Sequence, residues 1–275
     1  MKYFRSCRIA AILLIASFSA AEEFPKLSRH YLHLDMGAAY GNFRDTGTSP
    51  LRYQGFTAAS TAGFLSANPE FRWGLRTDIF YTAGIAANAY LLHSFYCASD
   101  VFYLRRIPPL SAKGLDFFAG PALSGLTAFT INDAYQNAMV NVDIFSGLFL
   151  RSQLQYAFKR PEWGKKLAFL RLQRPARDYV LAFRLDIPVL RLNIRPEFPY
   201  VLNGTQTDIE KIFSRHFFAG GLQLQSRLGL TRFLKNGNAI ETAYVWEMIS
   251  TGRRDIYLLE SARHALVFAF YFRLN

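Results

Sequence analysis

His33 and Asp35 in "YLHLDMG", His93 and Ser94 in "LLHSFYCASD", and Ser214 and His216 in "FSRHFF" put a histidine beside a hydroxyl or a carboxylate. These residue types could move a proton or activate a nucleophile, provided the base reaches its partner within hydrogen-bond distance. Their spacing argues against that use. In an extended chain, neighbours i and i+1 point to opposite sides, and i and i+2 stand side by side without facing each other. Each is therefore read as an ordinary wall or rim residue, and no catalytic residue is assigned. No cofactor or metal site is assigned either: no metal-ligand spacing, glycine-rich phosphate loop or redox cysteine pair occurs.

A larger group of charges has a clearer pattern. Asp35, Glu70, Arg72, Arg76, Asp78, Asp143, Arg151, Arg184, Asp186, Arg227, Glu241, Glu247 and Arg273 each fall within a stretch where polar residues alternate with large apolar ones. Opposite charges gathered on one face can neutralise one another where water is scarce. The chemistry expected of this set is pairing, in a network that fills an interior.

The elements that must position them repeat with a period of two, which is the strand period. Leu32, Leu34, Met36, Ala38 and Tyr40 oppose His33, Asp35, Gly37 and Gly41. Phe71, Trp73, Leu75, Ile79 and Tyr81 oppose Glu70, Arg72, Gly74, Arg76 and Asp78. The same alternation runs through "VNVDIFSGLFLRSQLQY", "DYVLAFRLDI", "GLQLQSRLGL" and "IETAYVWEM", and closes the chain with Leu266, Phe268, Phe270, Phe272 and Leu274 on one face. Strands near 51–66, 89–104 and 114–127 alternate less cleanly and are expected to hold bulges. Short turns are expected at "SANPE" and "LKNGNA", and longer connections at 43–50, 128–137, 196–212 and 249–263. The segment 159–177 is either an irregular element or an additional pair of strands.

The amino terminus indicates export. Lys2, Arg5 and Arg8 precede an apolar run, Ile9 to Ile15, and then small residues ending at Ala21. That run is too short to cross a bilayer, so residues 1–21 are expected to be a signal peptide and 22–275 the mature domain. The mature chain keeps only Cys97, which is read as a small packed hydrophobe. The formal net charge is +12, reduced by the three signal cations, and its Lys and Arg are dispersed. Anionic lipid surfaces, including lipopolysaccharide, are the expected partners, and nucleic acid is not.

A soluble sandwich and a membrane barrel both explain alternation. The aromatics decide between them, at 16% of the chain with 26 Phe and 15 Tyr. Tyr40, Trp73, Tyr81, Tyr156, Tyr179, Tyr244, Trp246 and Phe272 lie on the apolar face near strand ends, where membrane barrels carry interfacial girdles. A bilayer crossed without helices requires a closed barrel, because an open edge leaves backbone groups unsatisfied in lipid. The expected fold is an all-β, antiparallel, up-and-down transmembrane barrel of about ten strands, with eight or twelve also fitting.

On these residues the chain resembles bacterial outer-membrane β-barrel proteins, and "ALVFAFYFRLN" resembles their closing strand. That strand typically ends on an aromatic, whereas here Leu274 takes the place and Asn275 follows. The resemblance implies an outer-membrane location and recognition of the last strand by the barrel assembly machinery. The strand number is shared with the omptin proteases, and Ser and His with outer-membrane phospholipases and lipid A deacylases. The paired motifs of those families do not appear. The expected role is structural or surface-interacting, or restricted passage of small solutes through a largely plugged lumen. The alternative is a barrel hydrolase acting on lipid or surface peptide.

Overall fold

The computed structural model describes residues 29–45, 49–86, 91–112, 114–132, 140–167, 170–196, 215–253 and 256–274; the expected signal peptide lies outside them. Alternating sequence becomes strand almost throughout. In chain order the strands are β1 (Arg29–Asp45), β2 (Ser49–Ala67), β3 (Phe71–Ala86), β4 (Leu91–Arg106), β5 (Leu115–Asn132), β6 (Val140–Arg160), β7 (Trp163–Leu167), β8 (Leu170–Arg174), β9 (Arg177–Pro196), β10 (Arg215–Ala219), β11 (Leu222–Phe233), β12 (Ala239–Arg253) and β13 (Ile256–Leu274).

Eleven of these form one antiparallel sheet in the order β10-β9-β11-β12-β13-β1-β2-β3-β4-β5-β6, and β6 pairs with β9 to close it. Strands β10 and β11 both pair with β9, one above the other, so they make one stave and the barrel has ten. The first and last strands meet along nearly their whole length, from His30↔Leu274 to Asp45↔Leu259. Closure pairs both long edges of nearly every stave, which is what a lipid environment demands.

Parity decides facing. The outward residues Leu32, Leu34, Met36, Ile79, Val101, Leu123, Leu150 and Phe183 are all exposed. Asp35, Asp78, Asp100, Arg151, Asp186 and Glu241 point inward and are buried. In water this outer surface would be far larger than the apolar patches that soluble monomers expose. As a lipid-facing belt it needs no further explanation. Tyr40, Trp73, Tyr81, Tyr244 and Phe272 are exposed on the same outer face.

Turn chemistry fits its places. Asn68 Oδ1 accepts hydrogen bonds from the backbone N–H groups of Glu70 (2.8 Å) and Phe71 (2.6 Å), folding the β2–β3 turn. Gly237, at φ +83°, makes the β11–β12 turn, where Asn236 Oδ1 accepts from the Asn238 N–H. These turns lie at the end where β1 begins and β13 finishes, called the terminal end.

The structure corrects several expectations. Residues 249–263 are mostly strand, since β12 runs to Arg253 and β13 starts at Ile256. Of the two alternatives for residues 159–177 the structure has the additional pair of strands: β7 and β8 form a separate two-stranded sheet, a hairpin at the terminal end that adds no stave to the barrel. Of the three strands expected to hold bulges, β2 has one at its start, where Pro50 and Leu51 are the additional residues opposite Arg44/Asp45; the other register shifts fall at Leu148/Phe149 and Thr251/Arg253, outside those strands. Cys97 is exposed on the outer face of β4 and is not a packed core residue.

Candidate functional site: the charged lumen

The interior is built from the inward parity of every stave. Two chains of polar contacts cross it. The first begins where Thr61 on β2 donates to Asp78 Oδ1 on β3 (2.6 Å), and Asp78 lies 3.2 Å from Arg76 Nε. Arg76 Nε is 2.9 Å from Asp100 on β4, and Asp100 is 2.7 Å from Arg151 on β6. Arg151 also donates twice to Asp186 on β9, Nε at 2.8 Å and a terminal nitrogen at 2.9 Å. Arg184 reaches Asp186 at 3.6 Å and donates to Gln225 on β11 at 2.9 Å.

The second chain is centred on Arg227 of β11. Its guanidinium is 2.9 Å from Glu241 on β12 and 3.3 Å from Asp35 on β1. Tyr271 on β13 donates to the other oxygen of Glu241 at 2.6 Å. Gly229 makes room for this carboxylate: a Cβ there would come within 2.2 Å of Glu241 Oε1.

Several of these contacts are chords across the bore. Between β4 and β6, β5 intervenes; between β11 and β1, β12 and β13 intervene. Aromatic rings fill other chords. Arg72 of β3 lies 4.3 Å from the Phe118 ring centroid on β5, and Arg263 of β13 lies 4.2 Å from the Phe80 ring on β3. Arg151 and Asp186 are 3% and 4% exposed. Charge so deeply withdrawn from water is tolerated only where it is paired.

Two cavities flank this layer and share no lining residue. One, at the terminal end, has a volume of about 120 Å³ and is lined by Tyr31, Arg72, Gln153, Val180, Phe233 and Tyr271 among others. The other, toward the loop end, has a volume of about 60 Å³ and is lined by Tyr53, Leu92, Tyr96, Phe145, Ile249 and Leu259 among others.

Of the thirteen charges singled out in the sequence, Asp35, Arg76, Asp78, Arg151, Arg184, Asp186, Arg227 and Glu241 meet in the two chains. Glu247 joins a separate pair at the loop-end cavity, 2.5 Å from Arg263, with Gln223 donating to it at 3.1 Å. Asp143 accepts from Asn141 at 2.8 Å. Arg72 stacks on Phe118, and the Arg273 backbone N–H donates to Asn238 Oδ1 at 3.0 Å. Glu70 stands outside the lumen, exposed in the β2–β3 turn. Asp100 and Arg263 were not singled out, and both hold essential positions.

Among the described residues, the serine, histidine and aspartate candidates do not assemble into a dyad. Ser94 is buried inward and bonds Thr130 at 2.9 Å, whereas His93 points outward and meets the Tyr81 hydroxyl at 2.8 Å. His33 stacks on Tyr271 with ring centroids 5.6 Å apart, and its neighbour Asp35 is engaged by Arg227. Ser214 lies outside the described residues, as does the side chain of His216. No group of three or more His, Cys, Asp or Glu suited to a metal ion occurs among the described residues.

A closed ring of ten antiparallel staves, apolar outside and charged inside, with aromatic girdles, is a transmembrane barrel of the bacterial outer-membrane type. No protein-family model and no curated protein matches the sequence. Solved structures similar to this chain include the translocator domain of the autotransporter NalP from Neisseria meningitidis, at 8% identity and a TM-score of 0.41, covering 99% of this chain and 96% of that one. The transport unit of the autotransporter AIDA-I from Escherichia coli is similar at 10% identity and 0.47, covering 97% and 96%. Neisserial surface protein A is similar at 11% identity and 0.30, covering 88% and 97%.

Proposed function

We propose that this outer-membrane barrel is closed across its middle by paired charges and serves a structural or surface-interacting role, admitting small solutes at most. The observation that carries the reading is the chord from Asp100 to Arg151, continued to Asp186, with these charges buried from water. Barrels of about eight strands are filled by side chains, and open aqueous channels belong to about sixteen or more. Ten staves belong with the filled class. The apolar belt and the girdle tyrosines suit lipid and lipopolysaccharide as surroundings. The outward strip Leu266, Phe268, Phe270, Phe272 and Leu274 suits recognition by the barrel assembly machinery. Planar-bilayer recording tests the closure: the native protein should give small or rare openings, and large stable porin-like steps would overturn it.

A further inference from the structure

The barrel wall is not hydrogen-bonded throughout. Strand β9 pairs with β11 from Tyr179↔Arg232 to Asp186↔Gln225, and with β10 from Leu192↔Ala219 to Pro196↔Arg215. Between these ladders, residues 187–191 of β9 and 220–224 of the facing stave do not pair with each other, although 187–191 keep their ladder to β6 and 222–224 theirs to β12. The local sequence explains the break. Pro188 has no N–H to donate. Val189 is the additional residue of a bulge opposite Leu148 and Phe149. On the facing side Gly220 and Gly221 take φ of +120° and +97°, which side-chain-bearing residues rarely adopt.

Lipid cannot satisfy the backbone groups that such a break releases. Two lumenal side chains do so instead. Asn193 donates to the Gly220 carbonyl at 2.7 Å, and Arg191 donates to the Leu222 carbonyl at 3.3 Å. The Gly220 N–H reaches the Arg191 carbonyl at 3.0 Å. Here one backbone bond and two side-chain bonds close the wall in place of a ladder, and side chains can swing.

Both sides of this seam have chemistry. Outside it stand exposed apolar residues, Val189, Leu190 and Leu222. Inside, the Arg191 guanidinium lies 5.2 Å from the ring centroid of Phe145, a wall residue of the aromatic loop-end cavity. Arg191 is 2% exposed, yet its Nε and second terminal nitrogen meet no acceptor among the described residues. Glu247, which lines the same cavity, is already engaged by Arg263 and Gln223. A buried cation with N–H groups to spare, behind a break in the wall and beside a cavity walled by Phe43, Tyr53, Leu92, Phe145 and Leu259 as well as by Asp143 and Glu247, is built for an anionic head on an apolar chain.

We propose that the seam between β9 and the β10–β11 stave is a lateral portal from the lipid into the loop-end cavity, binding a single-chain amphiphile whose anionic head pairs with Arg191. This reading stands whether or not the middle of the lumen is closed. The test uses the full barrel in nanodiscs, radiolabelled dodecanoate as probe, and protein-free nanodiscs as the background. Saturable binding is expected, with dodecanol at least tenfold weaker. Arg191→Gln should lose at least tenfold in affinity; Arg191→Lys, which keeps the charge, should lose less and serves where the first variant fails to fold. A Cys97→Ser background carrying Leu190→Cys and Leu222→Cys, bridged by a short bifunctional thiol reagent, should slow dodecanoate uptake severalfold. Binding that ignores Arg191, or that treats dodecanol and dodecanoate alike, would overturn the site. Uptake unchanged by the bridge would overturn the portal.

Discussion

Asp100 and Arg151 are 2.7 Å apart although their strands, β4 and β6, are not neighbours; β5 stands between them. A contact within one ladder only stiffens the wall, whereas this one ties two non-adjacent staves through the interior. Asp100 also holds Arg76 at 2.9 Å, so one carboxylate serves two buried cations. Removing one partner of a buried pair leaves the other uncompensated and costs about 3–5 kcal/mol.

Asp100→Asn should therefore destabilise the barrel by roughly that amount, seen as a lower urea midpoint for unfolding from lipid vesicles. Arg151→Gln should cost a similar amount, and the double variant should cost clearly less than the two together. Coupling energies for residues in direct contact run to about 0.5–3 kcal/mol. Strict additivity would mean that the contact contributes nothing.

Gly229 permits the second chain. A Cβ at this position would sit 2.2 Å from Glu241 Oε1, and that carboxylate is held on one side by Arg227 and on the other by Tyr271. Gly229→Ala must displace it from at least one of them, at about 1–3 kcal/mol for a buried group left unsatisfied. In a Tyr271→Phe background the added cost should shrink, because one of the bonds is already gone. An unchanged cost in both backgrounds, by the same unfolding measurement, would rule out the displacement.

Much of this was legible in the sequence, and the parts that were not share a physical cause. Alternation marks a strand when one face is large and apolar, as for Phe268 to Leu274. Strand β4 presents His93, Cys97 and Ser99 outward and Tyr96 and Phe102 inward, so its two faces look alike. Asp100 is hidden by that ambiguity, although the parity of Val101 and Tyr103 beside it would have assigned it inward. The seam is hidden because parity flips at the Val189 bulge: Ile187 and Leu190 both face outward, and no window of period two spans them. Glu70 has the right parity, but Asn68 bends the chain into a turn before the strand begins. The pairs across the bore depend on which staves face each other, and a local pattern carries no such information.

Facing can be tested by charge. Ile79 is 62% exposed on the outer side of β3, well inside the strand. Ile79→Arg should cost about 2–4 kcal/mol if that side meets the bilayer midplane. Gln153→Arg places the same side chain at the wall of the terminal-end cavity and should cost much less. Unfolding midpoints in vesicles check the difference, with the shift in gel migration on heating as the folding control. Equal costs, or a reversal, would invert the facing of the barrel.

The last prediction concerns what separates the two cavities. Arg151 and Arg184 both line the terminal-end cavity, and both reach Asp186 from it. Both belong to the charged layer that separates this cavity from the loop-end one, whose lining includes neither of them. Arg151→Ala with Arg184→Ala removes both arms and leaves Asp100 and Asp186 without those cations. The exposed carboxylates then attract water and cations into the gap. The double variant should show more frequent and larger openings in planar bilayers than the native protein, with a preference for cations, since the layer has lost two positive charges. Arg263→Ala, which disturbs only the loop-end cavity, should leave the leak small. A leak unchanged by the double substitution in a barrel that still folds would place the barrier elsewhere, at the chord of Arg263 over Phe80.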